Sequence, residues 1–137
     1  MNGHRSLRGL ILEFLAAPAF AVVGASNHME KYGAQVFACY LEHGRMAYPI
    51  HPREKYVQGR PAYRSLRQLP QMVESVSVVT HPEISLEIVE EAGAAGVKRL
   101  WFQPGAENAA VLDRARDLGI DVIAGGPCVL VELGALD

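Results

Sequence analysis

The first candidate for chemistry is the small-residue loop that begins at Gly24. It follows the apolar run 20–23 and precedes a helical pattern that starts at Gly33. Such a loop lets backbone N–H groups approach a pyrophosphate at the positive end of a helix. The dinucleotide fingerprint would place three glycines here, whereas the chain has Gly24, Ser26 and Met29 at those positions. The loop therefore predicts a nucleotide ligand, although the NAD pattern is only one third met.

The residues after the second predicted strand discriminate between nucleotide ligands. An NAD site needs a carboxylate there to accept hydrogen bonds from the ribose 2′-hydroxyl. This chain has His51, Pro52 and Arg53 instead. Because a guanidinium pairs with phosphate oxygens, Arg53 suits the 2′-phosphate of NADP or the 3′-phosphate of coenzyme A. The alternative is that Arg53 is one of several solvated arginines on this loop.

The other reactive side chains predict neither a catalytic site nor a metal site. His28, His51 and His81 follow predicted strands, yet they lack the spacing of zinc ligands, and no nucleophile is paired with them in sequence. The carboxylates fall within or at the start of predicted helices, where solvated faces explain them. Cys128 follows a Gly-Gly-Pro turn and is either a reactive thiol near a ligand or, as we favour, a buried apolar side chain. Cys39 is predicted to be structural.

Composition predicts a single domain over residues 1–137. Half of the residues are hydrophobic, enough for a full core without metal or disulfide support. A formal net charge of -2 provides no basic field for nucleic acid. The two cysteines are far apart in sequence and favour a reducing compartment, so a cytoplasmic location is expected. No apolar run is long enough to span a bilayer, and no membrane association is expected.

The N-terminal segment predicts a leading amphipathic helix within residues 1–18. Its apolar side chains recur at the spacing of one helix face between Leu7 and Leu15. Basic residues before an apolar stretch imitate a secretory signal, but Glu13 interrupts that stretch.

Apolar runs and helical patterns alternate along the rest of the chain. The runs are continuous, as in strands that are buried on both faces of a parallel sheet. With right-handed crossovers, this order predicts an α/β fold, a Rossmann-like doubly wound parallel sheet in a three-layer domain. We expect strands over 20–23, 46–50, 76–80, 99–102 and 120–124, and helices over 33–43, 65–69, 82–95 and 108–118. Residues 52–70 are expected to be irregular and locally basic.

Five ordered segments together resemble the family of stand-alone coenzyme A-binding proteins. That family is similar to the Rossmann-like N-terminal domain of the succinyl-CoA synthetase α subunit. The order and spacing of the segments carry the resemblance, which covers residues 20–132. The segments are Val22-Val23-Gly24-Ala25-Ser26, Tyr48-Pro49-Ile50-His51-Pro52-Arg53, Gly59-Arg60-Pro61-Ala62-Tyr63-Arg64-Ser65-Leu66, Leu100-Trp101-Phe102-Gln103-Pro104-Gly105 and Cys128-Val129-Leu130-Val131-Glu132.

The resemblance implies a cofactor site for coenzyme A at the carboxyl ends of the strands. The loop 24–31 would cradle the ADP pyrophosphate, and Pro52 and Arg53 would lie beside the adenosine 3′-phosphate. Family members usually have asparagine where this chain has His51, and many have a basic residue or aspartate where Gly126 and Pro127 precede the cysteine. The implied cofactor-binding residues are Gly24, Ala25, Ser26, Asn27, Lys31, Tyr32, Pro52, Arg53, His81, Pro82, Gln103, Pro104 and Cys128.

The function expected from this resemblance is binding of coenzyme A or an acyl-CoA without catalytic residues. The synthetase's phosphorylated histidine belongs to a second domain, for which this chain leaves no room, so acyl-CoA synthesis by the chain alone is not expected. Two alternatives stay open. One is an NADP-linked or acyl-CoA-dependent enzyme that uses a histidine in the crevice. The other is an interaction module whose protein partner, still unidentified, docks on the apolar face of the leading helix.

Overall fold

The predicted strands form one parallel sheet, which the computed structural model describes within residues 6–136. The strands are β1 (Phe20–Val23), β2 (Ala47–Ile50), β3 (Tyr56–Val57), β4 (Arg60–Pro61), β5 (Ser75–Val78), β6 (Arg99–Phe102) and β7 (Asp121–Ile123). The helices are α1 (Leu7–Leu15), α2 (Tyr32–Glu42), α3 (Pro82–Ala95), α4 (Ala109–Asp117) and α5 (Val129–Leu136), with a 3₁₀ helix at Leu66–Gln68. The sheet order is β2-β1-β5-β6-β7 with every neighbouring pair parallel. The predicted doubly wound α/β sheet is confirmed.

Helices cover both faces of the sheet, because successive strand residues point to opposite faces. Phe20 and Val22 pack with side chains of α1, α2 and α5, whereas Ala21 and Val23 pack with side chains of α3 and α4. Trp101 lies fully buried on the first face, where its indole N–H donates to the carbonyl of Pro127 at 2.9 Å. Both faces of the central strands are therefore core, which explains their unbroken apolar sequence.

The helix boundaries follow the local sequence signals. Pro82 occupies the first position of α3, where its missing N–H costs nothing. The Asn108 side chain caps α4 by accepting from the backbone N–H of Val111 at 2.9 Å. Gly96 ends α3 with φ of 79°, in the left-handed region that favours glycine. Each of these residues has the position that its conformational preference favours.

The leading helix is shorter than the predicted segment 1–18, and residues 1–5 lie outside the described part of the chain. Its apolar face packs on the sheet, since Ile11, Phe14 and Leu15 are buried in the core. The apolar face that we considered as a docking surface for a partner is thus largely covered by the protein itself.

Two elements escaped the sequence-based prediction. The segment expected to be irregular contains the β3–β4 hairpin, whose two-residue strands are too short for a periodic signal. Helix α5 follows β7, but its sequence is apolar on most sides, so no polar face marks it as a helix. Both elements lie next to the carboxyl ends of the strands and bear on the site below. Within residues 6–136, no helix has the length and apolar character needed to cross a membrane.

Candidate functional site

Two adjoining clefts lie where the strand order reverses between β1 and β5. This reversal point is where open α/β sheets bind ligands. The larger cleft has a volume of about 520 Å³ and the smaller about 320 Å³, and both are lined by Tyr32, Val79 and His81. We call the two clefts together the groove. Its other lining residues are Gly24, Ala25, Ser26, Lys31, Gly33, His51 and Pro52 in the larger cleft, and Thr80, Pro104, Gly105 and Ala106 in the smaller.

Two glycines bring three backbone segments into direct contact at the floor of the groove. A Cβ on Gly24, whose φ is +96°, would lie 2.3 Å from the carbonyl oxygen of Val79. A Cβ on Gly33 would lie 1.9 Å from the carbonyl oxygen of Gly24. In dinucleotide folds the third glycine of the fingerprint allows this close packing of helix on strand. Gly33 has that role here, whereas the fingerprint spacing pointed to Met29, which is exposed.

The loop after β1 presents backbone N–H groups that no described residue accepts. Within residues 6–136, those of Ala25, Ser26 and Asn27 have no partner, although Ala25 and Ser26 are buried. The Ser26 hydroxyl accepts from the His28 N–H at 3.0 Å, which tightens the turn and leaves the hydroxyl proton able to donate. Because the first turn of α2 adds further unpaired N–H groups, the loop has the donor set of an anion site.

The β3–β4 hairpin is tied to this loop by two amide side chains. Asn27 donates to the carbonyl of Tyr56 at 2.9 Å and accepts from the N–H of Gln58 at 2.6 Å. The Gln58 amide in turn donates to the carbonyls of Ser26, at 3.1 Å, and Ala34, at 2.9 Å. Gln58 has a positive φ of 50°, so these bonds hold its backbone in a conformation that residues other than glycine seldom adopt. Sequence reasoning missed Gln58, and only the cluster of turn residues around Gly59 hinted at a hairpin.

His51 shapes the turn that follows β2. Its Nδ1 accepts from the backbone N–H groups of Arg53 at 3.0 Å and Glu54 at 2.9 Å, so the ring is neutral in this turn. An asparagine carbonyl makes the same bonds in an Asx turn, so a histidine at position 51 supplies an equivalent acceptor. Burial lowers the pKa of His51, an effect that Glu54 opposes and the cations Arg53 and Lys31 reinforce.

The cations near the groove are exposed. Lys31 precedes α2 and lines the larger cleft. Arg53 is exposed, pairs with no carboxylate in the described part of the chain, and does not line either cleft. Both charges are thus available to an anion at the rim of the groove.

The three crevice histidines have different surroundings. His81 lines both clefts from the position just before α3, without a side-chain cap on that helix. His28 is exposed and lies 3.8 Å from a carboxylate oxygen of Glu30. The Nδ1 of His51 already accepts two hydrogen bonds within its own turn. Among the three histidines, His81 alone is therefore placed to face a ligand in both clefts. No group of three potential metal ligands occurs among the described residues.

A polar cluster lies beside the groove at the start of α5. The Tyr32 hydroxyl forms a short contact with Sγ of Cys128 and lies 3.4 Å from Oε1 of Gln103. That same oxygen accepts from the N–H of Val129 at 2.9 Å. Gln103 is fully buried, and its Nε2 donates to no described protein group. Burial raises the pKa of Tyr32, and its bond to Cys128 raises it further, so the phenol keeps its proton.

The structure brings most of the sequence-predicted site residues to one edge of the sheet. Cys128 is half-buried and its thiol is free, whereas we favoured a buried side chain. Cys39 is buried as expected. The predicted residues that line the groove are Gly24, Ala25, Ser26, Lys31, Tyr32, Pro52, His81 and Pro104, and those that do not are Asn27, Arg53, Pro82, Gln103 and Cys128. The groove residues Gly33, Val79, Thr80, Gly105 and Ala106 were not predicted.

Comparison with known proteins gives this site a context. The sequence profile of the family described as "CoA binding domain" matches residues 18–134. The α subunit of an ADP-forming acetate–CoA ligase II from Pyrococcus furiosus is 36% identical over 90 residues, or 64% of this chain. The chain spans only 20% of that relative's length.

Two solved structures are also similar. A hypothetical protein from Pyrococcus horikoshii superposes with a TM-score of 0.88 at 29% identity, and the match covers 99% of both chains. A dinucleotide-forming acetyl-coenzyme A synthetase from Ca. Korarchaeum cryptofilum superposes with a TM-score of 0.71 at 30% identity. That match covers 81% of this chain and 27% of the synthetase.

Proposed function

Because the chain belongs to the CoA binding domain family, we propose that it binds coenzyme A or an acyl-CoA in the groove and catalyses no reaction of its own. The observation that carries the proposal is the set of N–H groups at Ala25, Ser26 and Asn27 that lack an acceptor within residues 6–136. The N–H groups of the buried residues Ala25 and Ser26 need an acceptor, and the oxygens of a pyrophosphate bound at the N-terminus of α2 supply several.

The side chains around the loop also suit the other parts of coenzyme A. Lys31 lies on the cleft wall beside the loop and adds a positive charge for the pyrophosphate. Pro52 brings the turn after β2 to the cleft, and the exposed guanidinium of Arg53 next to it suits a ribose phosphate. No carboxylate occupies the position at the end of β2 where NAD needs one, since His51 is there. His81 and Pro104 would flank the pantetheine arm along the smaller cleft.

The proposal is tested by ligand-induced stabilisation. Thermal unfolding is measured with coenzyme A, dephospho-coenzyme A and NAD at equal concentrations. At a hundredfold excess over its dissociation constant, coenzyme A should stabilise the protein by about 2.7 kcal/mol. We expect a smaller effect from dephospho-coenzyme A, which lacks the 3′-phosphate, and none from NAD. Stabilisation by NAD alone would overturn the proposal.

An arginine pair tests the phosphate contact separately. Arg53→Ala should weaken binding of coenzyme A by roughly tenfold, because a charge-assisted hydrogen bond in an exposed setting contributes about 1.5 kcal/mol, the lower end of its usual range. Arg116 is an exposed arginine on α4 and serves as the matched control, so Arg116→Ala should leave the affinity unchanged. The preference for coenzyme A over dephospho-coenzyme A should disappear in Arg53→Ala.

A further inference from the structure

The polar cluster of Tyr32, Gln103 and Cys128 has a feature that nucleotide binding does not use. Cys128 is a free, half-buried thiol, and its carbonyl accepts from the N–H groups of Val131 at 3.1 Å and Glu132 at 3.0 Å. The thiol therefore lies at the first turn of α5, an eight-residue helix. In thiol–disulfide exchange the attacking species is the thiolate form of such a cysteine.

Tyr32 places this thiol next to the groove. Its side chain lines both clefts, and its hydroxyl contacts Sγ of Cys128. Because the phenol keeps its proton, Tyr32 is able to donate to a thiolate at Cys128. Tyr32 is thus the part of the groove wall that contacts the sulfur.

Gln103 is an independent sign that the cluster accommodates a ligand group. Its Oε1 accepts hydrogen bonds from the Val129 N–H and the Tyr32 hydroxyl, which hold the amide inside the cluster. Its Nε2 has no acceptor in the described part of the chain. A fully buried amide N–H without an acceptor is costly. The amide carbonyls of a pantetheine arm are acceptors of the required kind.

We propose that Cys128 is a thiol–disulfide exchange site that anchors coenzyme A covalently, with a disulfide of coenzyme A as the co-reactant. The inference rests on the proposed function, since the adenosine end must bind in the groove to bring a disulfide to Cys128. In the exchange, the Cys128 thiolate attacks one sulfur of the coenzyme A disulfide. A bond forms between Sγ and that sulfur, and the original S–S bond breaks.

The products balance the reaction. One coenzyme A stays on the protein as a mixed disulfide, and the other leaves as a thiolate that takes up the proton lost by Cys128. The Cys128 sulfur is oxidised from thiol to disulfide, while the departing sulfur is reduced from disulfide to thiol. No other oxidant is needed, and a low-molecular-weight thiol reverses the step by the same chemistry.

The test exposes the reduced wild-type protein to coenzyme A disulfide and follows intact mass with time. We expect one coenzyme A per chain, located on the Cys128 peptide after proteolysis. Cystamine, a small disulfide without the nucleotide, should react at least roughly tenfold more slowly at equal concentration, because bound ligand reacts at an effective concentration in the millimolar range. Cys128→Ser should give no adduct, whereas Cys39→Ser, which removes the buried thiol, should give the same adduct as wild type.

The outcomes separate this inference from the proposed function. Binding of reduced coenzyme A to the wild-type protein is measured in parallel. If coenzyme A binds but no adduct forms, or the adduct lies on Cys39, or cystamine reacts equally fast, the exchange site is wrong and the proposed function stands. If reduced coenzyme A does not bind and the adduct shows no preference over cystamine, both are wrong. Peptide mapping of the wild-type protein gives the site even if Cys128→Ser does not fold.

Discussion

Gly33 packs against Gly24 so closely that a Cβ on Gly33 would lie 1.9 Å from the Gly24 carbonyl oxygen. The obstacle is backbone, which cannot move aside as the end of a flexible side chain would. The first turn of α2 and the end of β1 therefore share one rigid junction, and the conformation of the loop 24–31 between them depends on it.

The Gly33→Ala substitution should consequently impair stability and ligand binding together. We expect a loss of about 3 kcal/mol in the free energy of unfolding, since overpacking against backbone forces α2 away from the sheet. Binding of coenzyme A should weaken more than tenfold. Denaturant unfolding and calorimetric titration measure the two effects.

Gly134→Ala is the control for Gly33→Ala. Gly134 lies in α5, and a Cβ there would meet nothing within 4 Å. The substitution should be neutral or stabilise the protein by up to about 1 kcal/mol, the helix propensity difference between the two residues. Equal losses in both variants would show that the tight junction is not the cause.

His51 predicts a specific dependence of stability on pH. Its folded pKa is lowered, mainly by burial, so the unfolded state binds more protons as the pH falls below about 6.5, the ordinary histidine value. The stability contributed by neutral His51 is therefore present above that pH and is lost as the pH falls through the folded pKa. Chemical denaturation of wild type at pH 7.5 and at pH 5 should show this loss.

Substitutions at His51 isolate that contribution. His51→Asn preserves an acceptor for the Arg53 and Glu54 N–H groups and does not titrate, so its stability should fall less on acidification than that of wild type. His51→Ala should lose about 1 kcal/mol relative to wild type at pH 7.5, because the two N–H groups lose their acceptor, and less at pH 5, where wild type has itself lost part of that contribution. An identical acid dependence in wild type and His51→Asn would contradict the assignment.

Gln58 should control the mobility of the loop 24–31. Its amide bridges the carbonyls of Ser26 and Ala34, so Gln58→Ala removes both bonds at once. We expect faster hydrogen exchange for amides in 26–34 and a loss of about 1–2 kcal/mol in stability. Gln71→Ala is the matched control, because Gln71 is exposed and donates only to the Tyr48 hydroxyl. Exchange in 26–34 should be unchanged in that variant.

Arg99 is predicted to act on stability without affecting the groove. It is 8% exposed at the opposite edge of the sheet, where its Nε donates to the Ser75 hydroxyl at 3.0 Å. Its other nitrogens lie 3.4 Å from carboxylate oxygens of Glu13 and Glu74. Arg99→Ala should destabilise the protein by about 1–2 kcal/mol, because the buried Ser75 hydroxyl loses its charged donor, whereas Glu13 and Glu74 are partly exposed and lose less.

Coenzyme A affinity under native conditions should be unchanged in Arg99→Ala, as measured by titration. The comparison variant is Arg114→Ala, which breaks the exposed pair with Glu90 and should alter stability little. If fully folded Arg99→Ala binds coenzyme A more weakly than wild type, the amino and carboxyl ends of the strands are coupled.

Local sequence patterns were sufficient to predict the layers of this protein and the edge of the sheet that carries the site. Continuous apolar runs are typical of strands covered on both faces, so the parallel sheet could be predicted from the alternation of such runs with helical patterns. Because the carboxyl ends of parallel strands share an edge, Gly24, His51 and His81 could be assigned to that edge from their positions after the strands. The positions of Pro82 at the start of α3 and of Asn108 as the cap of α4 are local effects, so they were predictable from the neighbouring sequence.

Contacts between segments that are far apart in sequence, in contrast, determine the role of each residue at that edge. Gly33 replaces the third fingerprint glycine because the backbone of α2 meets the Gly24 carbonyl, a contact that no spacing rule encodes. The contact of Tyr32 with Cys128 joins residues 96 positions apart. Whether Cys128 is buried or partly exposed depends on α5 and on the packing of Gln103, and such long-range packing is set by the whole core rather than by any local pattern.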